Sequence, residues 1–330
     1  MMIGVGRREF LSTLCIGTAA WPLAARGQPS PPVIGFLSGS SLGSFSNQIA
    51  AFHEGLNETG YVVGRNVTIE YRWAEEHYDR LPALAADLVG RRVDVIAATG
   101  GTASGLAAKT ATSTIPIVFN TGGDPVKQTL VASLNRPGGN VTGVSFLANT
   151  LQAKLLEILH VLLPKAVLFA VFVNPANPNF ETDVEAMQKA AETLGQKLLV
   201  VKASTESDIG AGFETVVQQQ AGGFAVIGDP FLTSQREQFV EQAASHGVPA
   251  IYALREYVLA GGLMSYGASL PSSYHQVGVY VGRILKGEKP GDLPVQQSTK
   301  VEFVINLKSA KTLGLTFPLT LLGRADEVIE

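Results

Sequence analysis

Cysteine is all but missing from this 330-residue chain, whose one copy is Cys15. A disulfide framework and a paired-thiol site are thereby excluded. Histidine is scarce too, with five copies scattered along the chain and no H-E-x-x-H or other metal-like spacing. Charged residues make up 16% of the chain, the formal net charge is −3, and no basic run exceeds two residues. A phosphate-backbone partner is not expected from such a surface, so nucleic acid is set aside. There is no G-x-S-x-G elbow, no P-loop and no complete G-x-G-x-x-G fingerprint. Neither a cofactor nor a metal is called for. What remains is an apolar fraction of 46%, ample for two globular units with real cores.

The beginning of the chain does not read as part of a fold. Arg7-Arg8-Glu9-Phe10-Leu11 leads into a modest apolar run, Leu11 to Ala20, and then into Ala24-Ala25-Arg26-Gly27. A charged start, a short apolar middle and small residues at an A-x-G site describe an export signal, and twin arginines before Phe-Leu resemble the Tat subclass. A membrane anchor needs about 20 continuous apolar residues, whereas this run is interrupted by Gly17 and Pro22. Cleavage is expected near Gly27. Loss of residues 1–27 removes Arg7, Arg8, Arg26 and Glu9 and takes the formal charge from −3 to −5. Cys15 leaves with the signal; Leu14 before it does not suit a lipidation site.

From Val33 onward, short apolar stretches alternate with amphipathic ones. Val33–Leu37, Val93–Ala98, Ile115–Phe119, Val167–Val173 and Phe224–Gly228 suit parallel strands buried on both faces. Helices are expected over 47–59, 78–91, 126–134, 151–162, 182–195, 208–220, 234–246, 274–286 and 307–313, and an irregular tail from Phe317. The strand-helix plan starts afresh after about residue 143, so the fold class is α/β with two similar halves. In both halves the strands end in polar, turn-forming clusters: Ser38–Ser44, Thr99–Ser104 and Asn120–Asp124 in the first, Asn174–Asn179 and Asp229 in the second. Carboxyl edges of open α/β sheets are where ligands sit, and two such edges face to face would make a cleft.

Several strand ends carry chemistry. The loop Thr99-Gly100-Gly101-Thr102 opens a helix whose free N–H groups suit a carboxylate or phosphate. Asn120 and Thr121 end a buried strand, while Asp124 reads as the cap of the turn that follows. Two roles fit Asp229: cap of the helix after Pro230, or counter-charge for a ligand cation, since a carboxylate at the end of an apolar strand needs donors or a cation to be desolvated. The ligand role is preferred. Phe146, Tyr252 and Tyr266 are candidates for stacking on an aromatic or acyl ligand, with core or hinge packing as the alternative.

Arg72-Trp73-Ala74, Pro116-Ile117-Val118-Phe119, Gly123-Asp124-Pro125, Gly138-Gly139-Asn140-Val141-Thr142-Gly143, Asn174-Pro175 with Asn177-Pro178, Gly261-Gly262-Leu263-Met264-Ser265-Tyr266-Gly267 and Val301-Glu302-Phe303-Val304-Ile305-Asn306-Leu307 occur in this order. The series resembles the ABC transporter substrate-binding family that includes the tryptophan-binding TrpX-like proteins, across essentially all of the chain after the signal. The resemblance implies a periplasmic-binding-protein type I fold, with two Rossmann-like α/β lobes of parallel strands joined by a multi-strand hinge. The lobes would comprise 33–143 plus 267–298 and 144–266 plus 299–330. It also implies a monomeric periplasmic receptor that hands an amino acid or related carboxylate to an ABC permease in the inner membrane. On that pattern Ser40, Thr99, Gly100, Gly101, Thr102 and Thr121 would hold a carboxylate, and Asn174, Asn177 and Asp229 would face them. The alternative is an α/β enzyme using Asp124 and Asp229, which has only their strand-end positions behind it.

Overall fold

The computed structural model describes residue 1, residues 30–146 and residues 148–330. The expected export signal over residues 1–27 and its cleavage near Gly27 lie outside the described residues, Met1 apart. Among the described residues no helix is long and apolar enough to cross a membrane.

Among the described residues, thirteen strands form two sheets. The first half of the chain contributes β1 (Val33–Ser38), β2 (Thr68–Trp73), β3 (Val95–Thr99), β4 (Ile117–Thr121) and β5 (Val141–Ser145). The second contributes β6 (Leu168–Val173), β7 (Lys197–Lys202), β8 (Gly223–Val226), β9 (Ala250–Tyr252), β10 (Met264–Ala268), β11 (Gln296–Gln297), β12 (Val301–Asn306) and β13 (Glu327–Ile329). Between them run α1 (Ser46–Glu58), α2 (Leu81–Gly90), α3 (Thr102–Ala111), α4 (Ala148–Leu162), α5 (Phe180–Thr193), α6 (Glu206–Gln218), α7 (Pro230–Ser234), α8 (Arg236–His246), α9 (Arg255–Leu259), α10 (Leu270–Leu285), α11 (Leu307–Thr312) and α12 (Leu319–Leu322).

The first sheet has the order β11-β5-β4-β3-β1-β2 and the second β13-β12-β10-β9-β8-β6-β7. Each starts with the same doubly wound arrangement, so each has a point where strand order reverses: between β1 and β3 in one sheet, between β6 and β8 in the other. All pairings are parallel except β10 with β12. The chain passes from the first sheet to the second after Ser145, returns after Ala268 to lay α10 against α1, and crosses again between Gln297 and Val301.

Buried strands without alternation are what parallel sheets covered on both faces require, and β3, β4 and β8 are buried throughout. The second lobe packs its helices on the sheet through an aromatic cluster in which Phe172 meets Phe239 at 5.0 Å and Phe213 meets Phe224 at 5.1 Å, both near edge-to-face. In the first lobe α10 and α1 come together backbone to backbone. A Cβ on Gly278 would stand 2.2 Å from the Phe52 carbonyl oxygen, so the contact admits no side chain there.

Three segments depart from the expected pattern. Residues 126–134 form turns rather than a helix: Thr129 is left-handed at φ 56°, and the Leu130 N–H bonds back to the Pro125 carbonyl. The helix expected over 234–246 is interrupted at Gln235, giving α7 and α8. The tail after Phe317, expected to be irregular, adds α12 and the parallel edge strand β13. Arg255 ties that edge down, reaching Glu302 at 3.2 Å and Glu327 at 2.8 Å.

Candidate functional site

Both reversal points open on the same cavity. In a doubly wound sheet the loops leaving the two strands that flank the reversal diverge to opposite faces, leaving a crevice at their carboxyl ends. From the first sheet the loop after β3 reaches it with Gly100, Gly101 and Thr102, and from the second the turn after β8 reaches it with Gly228, Asp229 and Pro230. Gly100 and Gly101 take φ of 65° and 99°, a left-handed path that brings backbone rather than side chain to the cavity. No side chain caps α3, so its first N–H groups are available to a negative group. Ser38 and Ser40 lie under this loop, their hydroxyls 2.5 and 2.8 Å from where a Gly100 Cβ would be. The Gly100 N–H donates to the Tyr274 hydroxyl at 3.1 Å.

On the opposite wall the sequence Asn174-Pro175-Ala176-Asn177-Pro178-Asn179 folds into two successive Asx turns. The Asn174 side-chain oxygen accepts from the Ala176 N–H at 3.0 Å and that of Asn177 from the Asn179 N–H at 2.9 Å. With their oxygens so engaged, both amides turn their NH2 groups to Asp229, at 3.2 Å for Asn174 and 2.8 Å for Asn177. Asp229 also caps α7, accepting from the Leu232 N–H at 2.9 Å. Burial raises its pKa, while the Leu232, Asn177, Asn174 and Tyr78 donors pull the other way. Its Oδ1 caps α7, while its Oδ2 accepts from the Asn177 amide and the Tyr78 hydroxyl.

The lobes are in contact across the cleft. Tyr78, from the first lobe, donates its hydroxyl to Asp229 Oδ2 at 2.9 Å. Asn179 donates to Thr102 Oγ1 at 3.0 Å and accepts from Gln128 Nε2 at 3.0 Å, and Gln48 on α1 donates to Glu256 on α9 at 2.6 Å. These bonds define a closed arrangement. The cavity carries apolar surface from Phe45, Phe146, Leu254 and Leu270, and among the described residues lining it the ionisable groups apart from Tyr274 are the carboxyls of Asp183 and Asp229. Asp183, in the first turn of α5, is held at a pKa of about 7, chiefly by burial and further by the negative Asp229, against a lowering hydrogen bond from Gln152. Among the described residues no group of three or more His, Cys, Asp or Glu is arranged to hold a metal ion.

Of the expected site residues, Gly100, Gly101, Thr102, Asn120, Phe146, Asn177 and Asp229 line this cavity. Ser40, Thr99, Thr121 and Asn174 are buried directly behind them; Thr121 shares a hydroxyl contact with Thr102. Tyr252 and Tyr266 are elsewhere. The Tyr252 ring stacks on Tyr257 at 4.5 Å inside the second lobe, and Tyr266 packs edge-on against Phe303 at 6.0 Å. Side chains of a parallel strand point into the layers above and below, not along the strand, which is why an aromatic ending β9 enters the core. Asp124 sits in its own turn, accepting from the Val126 and Lys127 N–H groups at 2.9 and 3.2 Å. Tyr78, Asn179 and Asp183 were not anticipated. Asn179 alone carried a signal, as the last member of the asparagine-proline cluster.

Comparison with known proteins gives the same picture. The model of the family described as "ABC transporter substrate binding protein" matches residues 32–329. A tyrosine-binding protein of Clostridioides difficile (strain R20291) is 28% identical over 264 residues, 80% of this chain and 75% of that protein. Among solved structures, an ABC domain in complex with L-Trp from Streptococcus pneumonia has a TM-score of 0.82 at 27% identity, covering 91% of this chain and 100% of the other. The ligand-free, open structure of a substrate-binding protein with adhesive properties from Clostridium difficile reaches a TM-score of 0.65 at 26% identity, covering 90% and 99%. At nearly equal identity and coverage, the higher score goes to the ligand-bound relative, as the bonds across the cleft here lead one to expect. With its two α/β lobes in the periplasmic-binding-protein type I arrangement and a family match from end to end of the described fold, this chain belongs to the ABC transporter substrate-binding protein family.

Proposed function

We propose that the protein captures a zwitterionic amino acid with an apolar or aromatic side chain between its lobes. The observation that carries this reading is the electrostatic opposition of the two walls: the uncapped start of α3 on one, two buried carboxylates on the other, with no lysine, arginine or histidine among the described lining residues. An α-carboxylate suits the first wall and an α-ammonium the second. Phe45, Phe146, Leu254 and Leu270 supply the apolar remainder. The tryptophan and tyrosine named for the two relatives fit this division of labour.

In this reading the three chain crossings between the sheets, after Ser145, after Ala268 and between Gln297 and Val301, act as the hinge of the two lobes. Closure is favoured by a solute that touches both walls, because contacts made only in the closed state shift the population toward it. The receptor works as a monomer in the periplasm, delivered by the Tat-like segment at residues 1–27, and presents its closed form to an ABC permease. A catalytic role is not proposed: of the two acids the enzyme alternative relies on, Asp124 is engaged in its own turn, and Asp229 is surrounded by donors.

A thermal-shift panel of the twenty L-amino acids, with sugars and simple aromatic acids as controls, tests the reading. At least one apolar or aromatic amino acid is expected to raise the melting temperature of protein freed of copurified solute. Stabilisation by sugars alone, or by nothing in the panel, would overturn it.

A further inference from the structure

We infer that the solute's side chain reaches past Gly228 into a second, apolar pocket, and that Gln152 at the wall of this pocket selects an aromatic amino acid whose ring carries an O–H or N–H donor. The inference rests on the receptor reading and adds to it the place and the chemistry of the side-chain end. The second pocket adjoins the cleft cavity, and Phe146, Gly228 and Leu254 line both. Its further walls come from Leu151, Gln152 and Leu155 on α4 and from Tyr266 and Ala268 on β10. Tyr266 does not line the main cavity, but it is part of this one. Gly228 stands at the boundary. A Cβ there would meet only the Ala253 Cβ, at 3.9 Å, and the φ of Gly228 is not in the left-handed region. Neither packing nor backbone conformation requires glycine at this position. A side chain would enter free space between the two pockets, so its absence keeps the boundary open.

Along α4 the buried face runs through Gln152, Leu155, Leu156, Leu159 and Leu162, the spacing of one side of a helix. Glutamine stands where this period calls for a leucine. It is 2% exposed, and a buried amide costs stability unless its polar atoms are paired. Its NH2 donates to Asp183, which turns the amide oxygen away from that carboxylate. Among the described residues Oε1 has no hydrogen-bond partner. A buried acceptor left in this way marks a place for a donor that the protein itself does not supply. Apart from Gln152 and Tyr266, the described lining of the second pocket is apolar, which suits an aromatic ring. A phenol O–H or an indole N–H on that ring can donate to Oε1. A phenyl ring fills the same space but shuts the acceptor away from water and leaves it unpaired.

Calorimetric titration of the purified protein with L-tyrosine, L-tryptophan and L-phenylalanine tests the inference. The tighter of the two donor-bearing solutes is expected to bind at least about tenfold more tightly than L-phenylalanine. In Gln152→Leu, which loses the acceptor and keeps an apolar wall, that ratio should fall to about one. Any general weakening from the lost bond to Asp183 falls on all three solutes alike and cancels in the ratio. Gly228→Ala should melt with the parent, since the added methyl group meets no conflict in the protein. It should bind the favoured solute at least about tenfold more weakly, because the methyl group crowds the boundary that the ring must cross. Equal affinity for the three solutes, an unchanged ratio in Gln152→Leu, or undiminished affinity in Gly228→Ala each overturns the inference and leaves the receptor reading intact. So does a protein that binds aliphatic amino acids alone. A protein that binds no amino acid overturns both.

Discussion

Replacing Asp229 with alanine is expected to lower stability by about 3 kcal/mol or more and to reduce solute binding by at least about 100-fold. The stability term follows from what would be left behind. The Asn174 and Asn177 amides of its own lobe converge on this carboxylate, and each buried donor without a partner costs about 1–3 kcal/mol. Loss of the cap on α7 adds about 1 kcal/mol. The binding term follows from removing one of the two charges that face the solute's ammonium, in a cavity where water competes poorly. Denaturant unfolding and calorimetry on the same variant separate the two. A variant as stable as the parent would contradict the hydrogen-bond network described here, and one that binds as tightly would remove Asp229 from the site.

Tyr78→Phe isolates the lobe-to-lobe contribution. This hydroxyl links the first lobe to Asp229 at 2.9 Å, and a hydrogen bond to a charged group contributes about 1.5–3 kcal/mol, equivalent to about 10–100-fold in affinity. Because the bond exists only when the lobes meet, its loss should fall on solute affinity, with solute-free stability changing by less than about 1 kcal/mol. The Phe ring keeps the packing of the side chain, so the variant removes one hydroxyl and little else. Undiminished affinity would mean that closure does not depend on this contact; an equal loss of stability and affinity would mean that the closed arrangement persists without solute.

These two residues differ in how far the sequence alone reveals them. Asp229 is legible because a carboxylate that ends an apolar strand and precedes proline is costly unless something meets it. Tyr78 is not: an aromatic residue at the head of an amphipathic helix reads as core, and nothing local indicates a partner 151 positions away. Asp183 is hidden by a different ambiguity. An acid in the first turn of a helix is expected anyway, as a complement to the helix dipole, so its burial in the cleft is a property of the tertiary arrangement. The asparagine-proline cluster sits between these cases. Its turn chemistry is evident from the sequence, whereas the direction of its amides depends on which backbone N–H groups capture their oxygens.

The fold follows the same division. Buried parallel strands and their polar carboxyl ends are legible because unbroken β-branched runs and Gly, Asp and Asn clusters each have a local cause. Residues 126–134 mislead because apolar spacing suggested a helix there, whereas the backbone makes a left-handed turn at Thr129. Tyr252 misleads because its place at the end of a strand does not fix the direction of its side chain. In β9 its ring is committed to Tyr257 and the core of the second lobe. Strand β13 depends on pairing with β12, a non-local reward that a three-residue segment does not show by itself.

The most direct measurement compares, by calorimetric titration, the best-binding aromatic amino acid with its deaminated analogue, which keeps the ring and the carboxylate and lacks only the ammonium. A cavity whose second wall carries Asp183 and Asp229, with no cationic side chain among its described lining residues, is expected to bind the analogue at least about 100-fold more weakly, a loss of about 2.7 kcal/mol or more. Equal affinity for the two would contradict recognition of a zwitterion between the lobes.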